Sequence, residues 1–134
     1  MLNPKRVTAV LSAAVLSFAC AKTVHPGAPR PVQVWRGGDD GLTMRFAAAL
    51  EEAFKASPLF GGQAEESRTL VATIPTNLRW RDVGGRTRFG YNVVFSDHAK
   101  RRVGESRGVC WEDRVSECAA RVRTDAERIS AQLP

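Results

Sequence analysis

Residues 70–95 read LVATIPTNLRWRDVGGRTRFGYNVVF, and this stretch decides the fold. Leu70, Ala72, Ile74, Thr76, Leu78 and Trp80 alternate with Val71, Thr73, Pro75, Asn77, Arg79 and Arg81. After Gly84-Gly85 the alternation resumes with Phe89, Tyr91, Val93 and Phe95. Alternation with period two marks half-buried strands, and two glycines between such runs mark a hairpin, because the favoured tight turns need positive φ. With Gly84 and Gly85 as the turn residues, Val83 pairs with Arg86, Arg81 with Arg88, Trp80 with Phe89 and Leu78 with Tyr91. That register gathers the apolar side chains on one face, and a slip of one residue would scatter them. Pro75 lacks an amide donor, so it marks a bulge or a sheet edge.

Working outward, Val32 to Trp35 is a short strand stopped by Gly37-Gly38. Asp39 or Asp40 then caps a helix by accepting from free amides of its first turn. Leu42, Phe46, Ala49, Leu50, Ala53 and Phe54 recur at helical spacing. Ser57-Pro58 ends the helix, since a residue before proline avoids the helical region. Downstream, Ser96 to Lys100 is a turn, and Arg102 to Trp111 is a strand with Val103, Val109 and Trp111 on one parity. Asp113 is placed to cap a last helix whose apolar stripe is Val115, Cys118, Ala119, Val122, Ala126, Ile129 and Leu133. The order β-α-β-β-β-α predicts an α+β fold, a two-layer sandwich with two helices on one face of a mostly antiparallel sheet. The other sheet face is left to water or a partner.

The first residues carry a different message. Lys5 and Arg6 precede an uncharged run, Val7 to Phe18, which ends in Ala19-Cys20-Ala21. A basic start, a short apolar run and small residues at its exit are the layout of an export signal. The run is short of the ~20 residues that span a bilayer. Two processing sites stay open. Cleavage after Ala21 satisfies the A-x-A pattern and gives a soluble chain from Lys22. Alternatively, Leu16-Ser17-Phe18-Ala19-Cys20 resembles a bacterial lipobox, which implies cleavage before Cys20 and lipidation of that residue. On that reading Ala21 and Lys22 lack the aspartate linked with inner-membrane retention, implying the outer membrane. The chain thus divides into an export signal at 1–21, a Pro-rich linker at 22–31 and a single domain at 32–134.

In an oxidising compartment Cys110 and Cys118 form an even pair, and a disulfide between them is expected. Without Lys5 and Arg6 the 20 Lys+Arg still exceed the 14 Asp+Glu by four, which favours anionic partners. Export argues against nucleic acid, leaving an envelope protein or an anionic envelope component, and a membrane reached through a lipid on Cys20. Arg79, Arg81 and Arg88 fall on the face opposite the core, with Arg81 and Arg88 directly opposed. Like charges across a strand pair are unfavourable, so these three are the candidate anion- or partner-binding residues. Asp82, Asp97 or Glu105 nearby would instead make that face an ordinary solvated one, and Lys100-Arg101-Arg102 would extend the patch or guard a strand edge.

No catalytic signature is present. The sequence holds no G-x-S-x-G, H-E-x-x-H or Walker loop. Gly37-Gly38-Asp39-Asp40-Gly41 lacks the Lys-Ser/Thr of a phosphate loop and the ligand spacing of a calcium loop, and reads as a turn. His25 lies in the linker and His98 follows Asp97 in a turn. The expectation is no catalytic residue, no metal site and no cofactor.

Residues 46–60, FAAALEEAFKASPLF, resemble a helix in the amino-terminal domain of the Tol-Pal periplasmic protein and in curli-secretion-type lipoproteins, where a strand leads into such a helix and a small-residue, apolar, Phe sequence ends it. The resemblance covers one strand and one helix and implies an envelope accessory or assembly domain without catalysis. The function expected is an exported bacterial lipoprotein acting as a non-catalytic binding or assembly module. The alternative is a soluble secreted inhibitor or effector that binds a protein target.

Overall fold

A computed structural model of the protein describes residues 28–63 and 65–134. The segment expected to be an export signal, Cys20 as the expected lipidation site, and the expected linker up to residue 27 lie outside the described residues.

The strands are β1 (Val32–Arg36), β2 (Leu70–Ile74), β3 (Arg79–Val83), β4 (Arg86–Ser96) and β5 (Arg102–Trp111), and the helices are α1 (Gly41–Lys55) and α2 (Val115–Ala131). They form one α+β sandwich of a five-stranded sheet and two helices on the same face. The hairpin register is as the glycine turn dictates: Val83 faces Arg86, Arg81 faces Arg88 and Trp80 faces Phe89. Gly84 and Gly85 both have positive φ, the conformation that turn requires.

The segment read as one strand over 70–83 is two. β2 and β3 lie end to end along the same edge of β4, with Thr73 opposite Val94 and Arg79 opposite Gly90. Five residues on one side, 74–78, therefore span three on the other, 91–93. Pro75 sits in this break, where its missing donor costs no ladder bond. Leu78 is in phase with Tyr91, but the ladder ends at Arg79. The Leu78 N–H donates instead to the buried Thr43 Oγ1 in α1, at 2.9 Å. Thr43→Val removes that acceptor at nearly constant volume and leaves a buried N–H unpaired. It should cost about 1–3 kcal/mol, read as a lower urea midpoint with an unchanged slope.

β1 pairs with β2 in parallel, and α1 is the crossover between them. Asp40, rather than Asp39, is the cap: its carboxylate accepts from the Thr43 N–H at 2.7 Å. These Thr43 hydrogen bonds hold the Asp40 carboxyl below its ordinary range. The core joins Phe46, Leu50 and Phe54 of α1, Leu70, Ala72 and Ile74 of β2, Phe89, Tyr91, Val93 and Phe95 of β4, and Cys118, Ala119, Val122 and Ala126 of α2.

In β5 the parity holding Val109 and Trp111 faces outward, and the core side is taken by Gly104, Ser106, Gly108 and Cys110. The physical reason is crowding on the core side, from α2 above Gly104 and from the neighbouring β4 side chain beside Gly108. A Cβ on Gly104 would stand 2.6 Å from the Ile129 side chain, and one on Gly108 would stand 2.4 Å from the Tyr91 hydroxyl. Ser106 is buried and donates to Asp125 of α2. Val103 leaves the parity of Val109 at a register shift between Phe95 and Ser96 and packs against the core.

Asp113 does not cap α2. A short turn at Glu112–Arg114 precedes that helix, Arg114 stands at the cap position without a side-chain bond, and both Asp113 oxygens accept from Arg86. Arg86 holds the Asp113 carboxyl below its usual range. Cys110 and Cys118 are joined, with S–S 2.06 Å and Cα–Cα 6.1 Å. The bridge ties the end of β5 to the first turn of α2.

Packing begins before Val32. Arg30 pairs with Phe60 in an isolated parallel bridge, and its buried guanidinium donates to Ser130 Oγ, to the Arg68 carbonyl and to the Pro134 carbonyl. The Leu70 N–H donates to the Pro31 carbonyl. Prolines deny this segment helix or sheet, but the arginine fixes it to the domain.

Candidate functional site

The uncovered face of the sheet is the one the arginines occupy. Across strands β3, β4 and β5, Arg79, Gly90 and Val109 form one row, and Arg81, Arg88 and Trp111 form the next. Alternation alone explains this: Phe89 and Tyr91 point into the core, so Arg88, Gly90 and Asn92 point out. Arg79, Arg81, Arg88, Gly90 and Val109 line one shallow depression of about 270 Å³. The sequence-based candidates are thus brought together.

Their electrostatic setting is unusual. Among the described residues no carboxylate forms an ion pair with Arg79, Arg81 or Arg88. The three carboxylates expected as neutralisers are engaged elsewhere. Asp82 accepts from Thr87, Asp97 pairs with Arg101, and Glu105 pairs with Arg102 and Arg107. Trp111 supplies an aromatic shelf instead, with the Arg86 guanidinium 4.2 Å and the Arg88 guanidinium 5.9 Å from its ring centroid. Such contacts orient a guanidinium without neutralising it.

Three residues enter the site without having been singled out from the sequence: Gly90, Val109 and Trp111. Trp111 sits two residues from the Asp113 that holds Arg86, so only the β4–β5 register reveals its position beside Arg88.

Lys100-Arg101-Arg102 does not extend the patch. It lies at the other end of β4, where Ser96 pairs with Arg102. Eight residues separate Ser96 from Arg88, about 27 Å along a strand. The chain enters the domain at that far end too, since Pro31 bonds Leu70 and Val71 pairs with Ser96.

At that end Arg30, Asp97, His98 and Arg101 line a cavity of about 310 Å³. Asp97 is occupied within its own turn. One oxygen accepts from the amides of Ala99 and Arg101, the other from the Arg101 guanidinium. The Arg101 amide, with its guanidinium, lowers the Asp97 carboxyl below its normal range. Glu105 does not line this cavity. Among the described residues no three of His, Cys, Asp or Glu gather as a metal site, and no helix is long and apolar enough to cross a membrane.

No family model matches this chain, and no curated protein matches it. Among solved structures it is similar to a chain of a PelC dodecamer from Paraburkholderia phytofirmans, with 13% identity and a TM-score of 0.49, covering 78% of this chain and 90% of that chain.

Proposed function

We propose that this chain is an exported envelope protein, lipidated at Cys20, that works without catalysis as a binding or assembly module through the outer face of its sheet. The observation that carries the reading is the set of Arg79, Arg81 and Arg88 on one uncovered face, converging on one depression and without a carboxylate partner among the described residues. A face built only for solubility intersperses both signs of charge. Concentrated guanidinium groups, each a fixed fork of donors, suit an anionic partner.

Other observations support the same reading. A disulfide belongs to an oxidising compartment. The basic and apolar start of the chain has the layout of an export signal. General acid–base work needs a free carboxylate or imidazole held against a substrate, and the Asp97 carboxylate beside His98 is spent on its own turn. The resemblance of residues 46–60 to envelope-protein helices points the same way.

Two measurements test it. Intact mass is read on protein recovered from membrane and soluble fractions of producing bacteria. A membrane species beginning at Cys20 with added acyl mass is expected, whereas a soluble species beginning at Lys22 favours the secreted binder. In the same cells a photo-crosslinking residue is placed at exposed Val109 on the outer face or at exposed Ser116 on α2. Adducts should form from Val109. Adducts from Ser116 alone would overturn the outer-face reading.

A further inference from the structure

Three glycines interrupt β4 and β5, and two of them have a packing reason. Gly104 and Gly108 sit where a Cβ would meet Ile129 and Tyr91. Gly90 has none. A Cβ built on it meets nothing within 4 Å, and its φ is not positive. Glycine inside a strand is unfavourable because it loses the most conformational freedom on folding and packs nothing. The fold gains nothing from Gly90, yet its bareness is what floors the arginine depression. A side chain there would stand between Arg79 and Val109 and above Arg88.

A second feature adjoins it. Arg79 and Gly90 also line a furrow of about 410 Å³ that runs along the Pro75 break to Asn92 and Arg107. Asn92 lines it, and the Asn92 Oδ1, buried beneath, has no hydrogen-bond partner among the described residues, a state that proteins rarely leave unexplained. The opposed Arg81 and Arg88 are a third cost that the fold itself does not repay.

We propose that these costs are met by one ligand class: a phosphate ester that also carries hydroxyl groups. The proposal rests on the outer-face reading above. Its phosphate sits over Gly90, where the absent side chain lets it approach the sheet, and takes donors from Arg79, Arg81 and Arg88. Arginine forks match phosphate oxygens in pairs. Rotation of the Asn92 amide would bring its Oδ1 into the furrow, where a ligand hydroxyl donates to it. The Trp111 ring limits the freedom of Arg88 before the ligand arrives. The site lies about 27 Å along β4 from where the chain enters the domain, so the source favoured is a polyol phosphate away from the anchoring bilayer, rather than that bilayer's headgroups.

The test is an amide NMR titration of the purified protein with glycerol phosphate, inorganic phosphate, glycerol, polyglutamate and phosphatidylglycerol vesicles as separate probes. Glycerol phosphate should shift the amides of residues 79–81, 88–92 and 107–111 saturably, and at least tenfold more tightly than inorganic phosphate. Gly90→Val should fold with an equal or higher Tm, because its side chain meets open space, and should weaken glycerol phosphate at least tenfold. Arg81→Gln with Arg88→Gln should weaken it likewise and reports independently should the valine variant misfold. Equal weak binding of every anion means an adventitious ion only and overturns the proposal. So does binding unaffected by Gly90→Val, or binding confined to vesicles or to polyglutamate. If glycerol phosphate fails while crosslinks from Val109 persist, the ligand class is wrong and the outer-face module stands. If both fail, the module reading falls as well.

Discussion

Phe46→Ala should lower stability by about 3–5 kcal/mol, one of the two largest effects expected for a single site in this domain. Phe46 is fully buried in the middle of α1. Its ring meets Phe89 edge-on at a centroid distance of 5.6 Å and Tyr91 at 5.3 Å. It is therefore the point where the first helix grips the central strand. Truncation removes the transfer energy of the ring, the aromatic contacts and the filling of a site that β4 holds rigid on the other side. A domain of this size commonly has about 5–15 kcal/mol in all. The expected fall in Tm is therefore about 12–40 °C, at roughly 4–8 °C per kcal/mol. Phe46→Leu keeps most of the volume and should recover more than half of the loss. Thermal denaturation of the three proteins decides it, and a fall of under 5 °C for the alanine variant would mean that α1 is not seated on β4 as described.

Removing the Cys110–Cys118 bridge should cost about 2–3 kcal/mol on the chain-entropy argument for so short a loop. The bridge closes a sequence separation of eight residues, and both cysteines are buried. It fastens the outermost strand, β5, to the start of α2, which has no side-chain cap of its own. Cys110→Ala with Cys118→Ala leaves small apolar groups in both places, so the loss reports the cross-link rather than stranded thiols. The double variant should unfold at a lower denaturant concentration, and reducing agent should shift the wild-type protein by the same amount while leaving the variant unmoved. Mass spectrometry supplies the covalent check: two hydrogens are gained on reduction. A reduced wild-type protein as stable as the oxidised one would show that the bridge does not constrain the unfolded chain.

The outer-face arginines were legible from residues 78–91 alone, because a two-residue turn fixes its register and a strand has period two. Trp111 and Gly90 were not. The tryptophan is placed by its pairing with Arg88, far away in sequence across the β4–β5 hairpin, and a glycine's role depends on what would touch its missing side chain. Gly90, Gly104 and Gly108 look alike in the sequence, and only their tertiary neighbours, Ile129 of α2 over Gly104 and Tyr91 of β4 beside Gly108, tell them apart. Asp113 shows the same limit from the other side. An acid before an apolar helical run reads as a cap, yet Arg86 across the hairpin competes for it and wins with a two-oxygen contact.

The sequence by itself determined the local matters: the α+β class, the β3–β4 register, a helix capped by one of two neighbouring aspartates, the cysteine pair, and the face on which Arg79, Arg81 and Arg88 stand. Each follows from a periodicity or a turn that is complete within a dozen or so residues. Only the tertiary structure decided that the strand over 70–83 breaks at Pro75 so that two strands share one edge of β4, that β1 joins in parallel, that β5 turns Val109 and Trp111 outward, and that Arg30 fastens the segment before β1 to the domain. Those outcomes depend on which distant surfaces meet. A window of sequence records the preferences of its own backbone and holds no trace of the partner that will press against it.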